Sequence, residues 1–164
     1  MVVTSRYRTA TGAGTLAALV LVLVFGSPAY VEWVQNNTNE GTAGGWWLRL
    51  LAWPSWRFSS TDSVQDIIAD DIRAILLVLL TALFLYLLPG SQLARARGTV
   101  SQLLAGWASY IFAGALAGLL TAFIQTDPSL LAAYQAAGGG AIYGLFVGWI
   151  VGIAALGGRR GTAT

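Results

Sequence analysis

Glycine recurs at every fourth position near the end of this chain, at Gly140, Gly144, Gly148 and Gly152. On a helix these residues form one nearly bare stripe. In water such a helix is poor, because each glycine costs roughly 1 kcal/mol against alanine. In a membrane the pattern has a use, because small residues let two helices approach until backbone meets backbone. Four residues advance a helix by about 400°, so the stripe winds slowly and favours a right-handed crossing near −40°. Ile142, Phe146, Trp149 and Ile153 stand opposite the stripe as a bulky ridge.

Composition supports a membrane setting. Of 164 residues, 56% are hydrophobic and only 10% are charged, whereas soluble domains carry about 25% charged residues. The pattern predicts an all-α integral membrane protein forming one domain over 1–164. Its four spans are read at about 12–34, 66–88, 100–124 and 130–156, joined by an outer loop over 35–61. The second apolar run proper begins at Ile72, and its helix is read as starting nearer Asp62. That helix is apolar all round and suited to facing lipid. The third span carries the small-residue pairs of Gly114 and Gly118, a natural face for the glycine stripe. A hairpin of the last two spans within one molecule is one use of these faces; contact with another subunit or a second copy is the other.

Arginine sets the orientation. All nine basic residues are arginine, which with abundant glycine and alanine suggests a GC-rich bacterial genome. Arg6 and Arg8 precede the first span, Arg95 and Arg97 separate the second and third, and Arg159 and Arg160 follow the fourth. The positive-inside rule then places both termini and the 89–99 loop in the cytoplasm, with the chain in the inner membrane. Arg49 and Arg57, together with Glu40, Asp62, Asp66 and Asp127, fall outside. A second reading of the start is a cleavable signal peptide, with Arg6 and Arg8 before an apolar core and then Ser27-Pro28-Ala29. The paired arginines before spans one and three also hint at two parallel halves, although the second span lacks the glycines of the fourth.

The outer loop holds Trp46, Trp47, Trp53 and Trp56, four of the seven tryptophans. Tryptophan favours the membrane–water boundary, and Arg49 and Arg57 can reach lipid phosphates. The segment therefore reads as an interfacial stretch on the outer leaflet, or as a docking surface built of the aromatic and arginine anchors that interfaces use. Beyond it, Ser63-Val64-Gln65-Asp66 resembles a helix-capping box. The acids at 62, 66, 70 and 71 suit a helix N-terminus.

Chemistry is sparse. With neither cysteine nor histidine, the chain lacks thiolates, the commonest general base and the commonest metal ligands. No phosphate loop, zinc pair or nucleophile elbow occurs. Catalytic, metal and cofactor-binding residues are therefore expected to be none. A net charge of +2 gives no case for nucleic acid. Gln102, Ser109, Tyr110 and Gln135 are polar residues at or near membrane depth, suited to bonding between helices or to lining a path. No acid or base lies at the centre of a span, which speaks against ion-coupled transport. No motif places the chain in a known family. The sequence favours a non-enzymatic accessory or assembly subunit of a larger bacterial membrane complex, possibly in envelope transport. The alternative is a small homo-oligomeric channel or transporter. The bilayer, other membrane subunits or a second copy are the partners implied.

Overall fold

The computed structural model describes residues 2–56, 64–88, 98–125 and 129–160. Among them all regular structure is helical: α1 (Val2–Phe25), α2 (Pro28–Asn37), α3 (Ala43–Leu51), α4 (Val64–Leu87), α5 (Thr99–Ala122) and α6 (Leu130–Arg160). The four long helices form a closed ring in which α1 packs on α4, α4 on α5, α5 on α6 and α6 back on α1. The core lies inside that ring, where Val22, Leu77, Tyr110, Ala113, Tyr143, Val147 and Val151 are fully buried. On α4, beyond Ala69 and Asp70, the buried positions are Ala74, Leu77, Thr81 and Leu85, the three-to-four spacing of a single helix face. Leu79, Leu83, Tyr86 and Leu87 point outward.

Among the described residues two helices, α5 and α6, are long and apolar enough to cross a membrane, and the bent pair α1–α2 makes a third if it counts as one span. That is fewer than the four spans read from the sequence. In α4, Asp70, Asp71 and Arg73 crowd the N-terminal part and shorten its uncharged apolar run.

The first expected span, 12–34, is broken. α1 ends at Phe25 and α2 leaves it at 60°. The local chemistry explains the break. Pro28 opens α2, where its missing N–H costs nothing, and the Ser27 hydroxyl accepts from the Tyr30 amide at 3.3 Å as an N-cap. Gly26 leaves room for the chain that returns across the bend. A Cβ at 26 would collide with the carbonyl oxygen of Pro54, and the Trp56 amide donates to the Gly26 carbonyl at 2.9 Å.

The expected outer loop contains α3, capped by Thr42, whose hydroxyl accepts from the Gly45 amide at 3.1 Å. Together α2 and α3 close one end of the ring. The capping-box serine Ser63, Asp62, Asp127 and most of the 89–99 loop lie outside the described residues. Ser129 caps α6, accepting from the Ala132 amide at 3.0 Å.

Candidate functional site

Two features stand out: the seam between α5 and α6, and the aromatic lid over its capped end. The seam is the most extensive helix contact in the molecule. At its centre Gly114 and Gly140 face each other, so that a Cβ on either would overlap the other's carbonyl oxygen. A Cβ at Gly118 would strike the Ala136 carbonyl, at Gly144 it would lie 2.5 Å from the Ile111 Cα, and at Gly152 2.8 Å from the Leu103 carbonyl oxygen. At Gly148 the neighbours are side chains, Trp107 at 2.9 Å and Tyr110 at 3.0 Å. No described glycine has a positive φ. These glycines therefore provide space rather than unusual torsions. The stripe Gly140–Gly152 is placed against α5 of the same chain, and the bulky ridge of α6 faces out.

Polar groups in the seam are matched. Tyr110 and Tyr143, both fully buried, join hydroxyls at 2.9 Å across the two helices. The Trp107 indole donates to the Leu145 carbonyl at 2.9 Å. Ser109 and Thr121 turn back on their own helix, donating to Ala105 at 2.7 Å and Ala117 at 2.8 Å, as buried hydroxyls in helices commonly do. Gln135 is exposed.

The four loop tryptophans divide. The Trp53 ring stacks on Tyr143, with centroids 5.1 Å apart and planes at 22°. The Arg73 guanidinium also lies over the Trp53 ring, 5.1 Å from its centroid, and pairs with Asp70 at 2.7 Å. A continuous chain of contacts thus runs from Asp70 through Arg73, Trp53 and Tyr143 to Tyr110 in the core. Trp56 donates from its indole to the Val22 carbonyl at 3.3 Å, and Trp47 is half-buried against the core. Only Trp46 of the four is exposed, and its ring meets Phe146 edge-on at 5.0 Å.

Arg49, read from sequence as a lipid or partner contact, is engaged internally. It donates to the Thr38 carbonyl at 2.8 Å, the Gln35 carbonyl at 3.2 Å and the Thr38 hydroxyl at 3.1 Å, and it pairs with Glu40. It closes the C-terminus of α2, where free carbonyls and the helix dipole attract a cation. Arg57 lies outside the described residues.

The sequence reading missed two partners of the lid, Tyr143 and Arg73. Nothing local signals them, since each meets Trp53 only through the fold. Among the described residues no group of acids is placed to hold a metal ion. Comparison with protein-family models, with curated proteins and with solved structures finds no match. Among the described residues the arrangement defines an all-helical protein with helices able to cross a membrane, and with aromatic side chains on one outer face.

Proposed function

We propose that this chain is a non-enzymatic accessory or assembly subunit of a bacterial membrane complex. In this reading all four long helices span the inner membrane and both termini are cytoplasmic. The observation that carries it is the outward ridge of α6. Phe146 and Trp149 are each 42% exposed, Ile142 and Ile153 stand beside them, and Trp46 continues the ridge from the lid.

Depth gives the ridge its meaning. Trp149 is eleven residues from Arg160 on α6, about 16 Å at 1.5 Å per residue. With Arg159 and Arg160 at the membrane surface, that is near the middle of a core about 30 Å thick. Tryptophan facing lipid gathers at the two interfaces, not at mid-depth. Aromatic anchors do concentrate at protein contacts. The Trp149 N–H already donates to the Phe146 carbonyl at 3.0 Å, so the ring offers a partner an apolar face with no unmet polar group.

In the channel alternative the pore would lie between copies, because α5 and α6 of one chain meet backbone to backbone. Mild-detergent purification with mass spectrometry of co-purifying proteins tests the proposal. Wild type is expected to bring down unrelated membrane subunits in fixed ratio, and a Phe146→Ala/Trp149→Ala chain to lose them at matched expression. Undiminished recovery with the double variant, or a pure homo-oligomer that conducts in liposomes, refutes it. Orientation is tested separately by Ala96→Cys, the only cysteine in that chain. Labelling of this cysteine by an impermeant reagent from outside refutes cytoplasmic placement.

A further inference from the structure

All four long helices contribute to the walls of one cavity of about 390 Å³. Small residues recess those walls: Ala10 of α1, Ala105, Gly106 and Ala108 of α5, and Ala155 of α6. A closely packed interior leaves few voids larger than a water molecule, so a space of this size stands apart from the rest of the ring. Small-molecule sites occupy about 300–1,000 Å³.

The lining decides what fills it. Among the described residues that line the cavity none is charged, and the polar side chains are Thr11, Ser101 and Gln102. About thirteen waters would fit at about 30 Å³ each, and a buried water needs two to four polar partners. Three polar side chains against walls of alanine, leucine and phenylalanine do not order such a cluster. An empty space is no better, because the walls lose contacts in proportion to the volume left unfilled. An apolar occupant avoids both costs. An apolar cavity of about 150 Å³ takes one benzene, so in proportion this one takes about fifteen carbons.

The unmet polar groups gather at one end. Ser101 and Gln102 sit in the first turn of α5, and the lining continues through Ala105 and Ala108 to Phe112. That is eleven residues of α5, about 16 Å. The Thr11 hydroxyl is engaged, donating to the Leu85 carbonyl at 3.4 Å. Among the described residues the Ser101 hydroxyl and the Gln102 carboxamide make no hydrogen bond. Together they offer donors and acceptors, enough for one hydroxyl or ester group. With no charge in the described lining, nothing there compensates the desolvation of an ionised group.

We infer that the cavity binds one alkyl or acyl chain of about fifteen carbons, laid along residues 105–112 of α5, with an uncharged hydroxyl or ester group at Ser101 and Gln102. The inference depends neither on the accessory-subunit reading nor on the orientation of the chain in a membrane. A free long-chain alcohol and the ester-linked tail of a bilayer lipid share this chemistry, and the test separates them.

The full chain in phosphatidylcholine nanodiscs is exposed to 1-tetradecanol bearing a photoreactive group in its chain, and cross-links are mapped by mass spectrometry. Wild type is expected to label saturably at Ala105, Ala108 or Phe112, with unlabelled 1-tetradecanol competing at least fivefold better than tetradecane. Ala108→Phe, which fills the lining, is expected to lower labelling at least fivefold. Gln102→Leu is expected to bring the alcohol down to the level of the alkane, and it keeps the apolar walls intact, so it decides should Ala108→Phe not fold. If a bilayer lipid is the source, the alcohol does not label; phosphatidylcholine with a photoreactive tail then labels the same residues, at least fivefold less in the Gln102→Leu chain, which also supports the site. Alcohol labelling without preference over the alkane overturns it. So does undiminished labelling of a folded Ala108→Phe chain, or failure of both reagents to label these residues above the exposed face of α4.

Discussion

Alanine at position 140 and alanine at position 138 should move stability in opposite directions, although both replace a glycine within one turn of α6. A Cβ at 140 meets only backbone. It overlaps the Gly114 carbonyl oxygen and sits 2.5 Å from the Gly114 carbonyl carbon and 3.1 Å from the Ala115 nitrogen. Carbon atoms rest about 3.5–4.0 Å apart, so the seam must open locally by about 1 Å. A radial gap of that size forfeits a quarter to a half of each contact along the seam. Overpacking costs about 1–3 kcal/mol, and the upper figure applies where neither wall is a movable side chain. Alanine's better helix propensity offsets about 1 kcal/mol. The net loss is about 2 kcal/mol, and at 2–4 °C per kcal/mol for a chain of this size the melting temperature falls by about 4–8 °C. At Gly138 nothing lies within 4 Å of the added Cβ, leaving only the propensity gain of up to about 1 kcal/mol. Thermal melts of both variants in one detergent provide the assay. A Gly140→Ala protein melting with wild type, or a Gly138→Ala protein falling as far, refutes backbone contact between α5 and α6.

Further outcomes follow from the lid and the buried hydroxyls. Tyr110→Phe or Tyr143→Phe alone leaves a buried hydroxyl unpaired and is expected to cost about 1–3 kcal/mol, whereas the double phenylalanine variant is expected to melt near wild type; additive losses in the cycle would contradict the pairing. Trp53→Ala removes the ring that contacts both Tyr143 and Arg73 and is expected to cost about 3 kcal/mol, with Trp53→Phe milder, both read by melting. Arg49→Ala frees the carbonyl end of α2 and should speed protease cleavage between residues 37 and 43, while Glu40→Gln should barely change it, because exposed ion pairs contribute little. Equal cleavage of the two variants would show that the carbonyl contacts do not hold the lid.

The helical class was legible because apolar runs of this length, with so little charge, leave few alternatives. The outward ridge of α6 was legible too, since spacings of four, three and four residues put Ile142, Phe146, Trp149 and Ile153 on one side whatever the helix meets. The break at Gly26 was written in local signals: Ser27 as a cap and Pro28 at the first helical position. They were outweighed by the apolar residues that continue through Tyr30, Val31 and Val34. The fate of the loop tryptophans was not legible. An indole suits a lipid surface, a partner pocket or a lid equally well. The choice is made by the Val22 carbonyl, Tyr143 and Arg73, each remote in sequence from the ring it meets. Arg49 shows the same limit at shorter range. Its partners lie only nine to fourteen residues back, but they come within reach only once α2 and α3 fold side by side.

The closed ring joins the first long helix to the last, and that sets an order of assembly. Ala18 and Val22 of α1 are fully buried, and Gly14 of α1 lies against Val151 and Ala155 of α6. During synthesis α1 emerges first, yet its α6 neighbour is made more than a hundred residues later. The seam of α5 and α6 needs only a short connection and can zip as soon as both helices exist. Docking of α1 must wait, since contacts between distant segments are the slow ones. Until then the nascent chain holds an unsealed flank, the kind of exposed surface on which misassembly begins. A ribosome stalled before Leu130 would therefore leave a product whose first helix lacks the α6 surface that covers it.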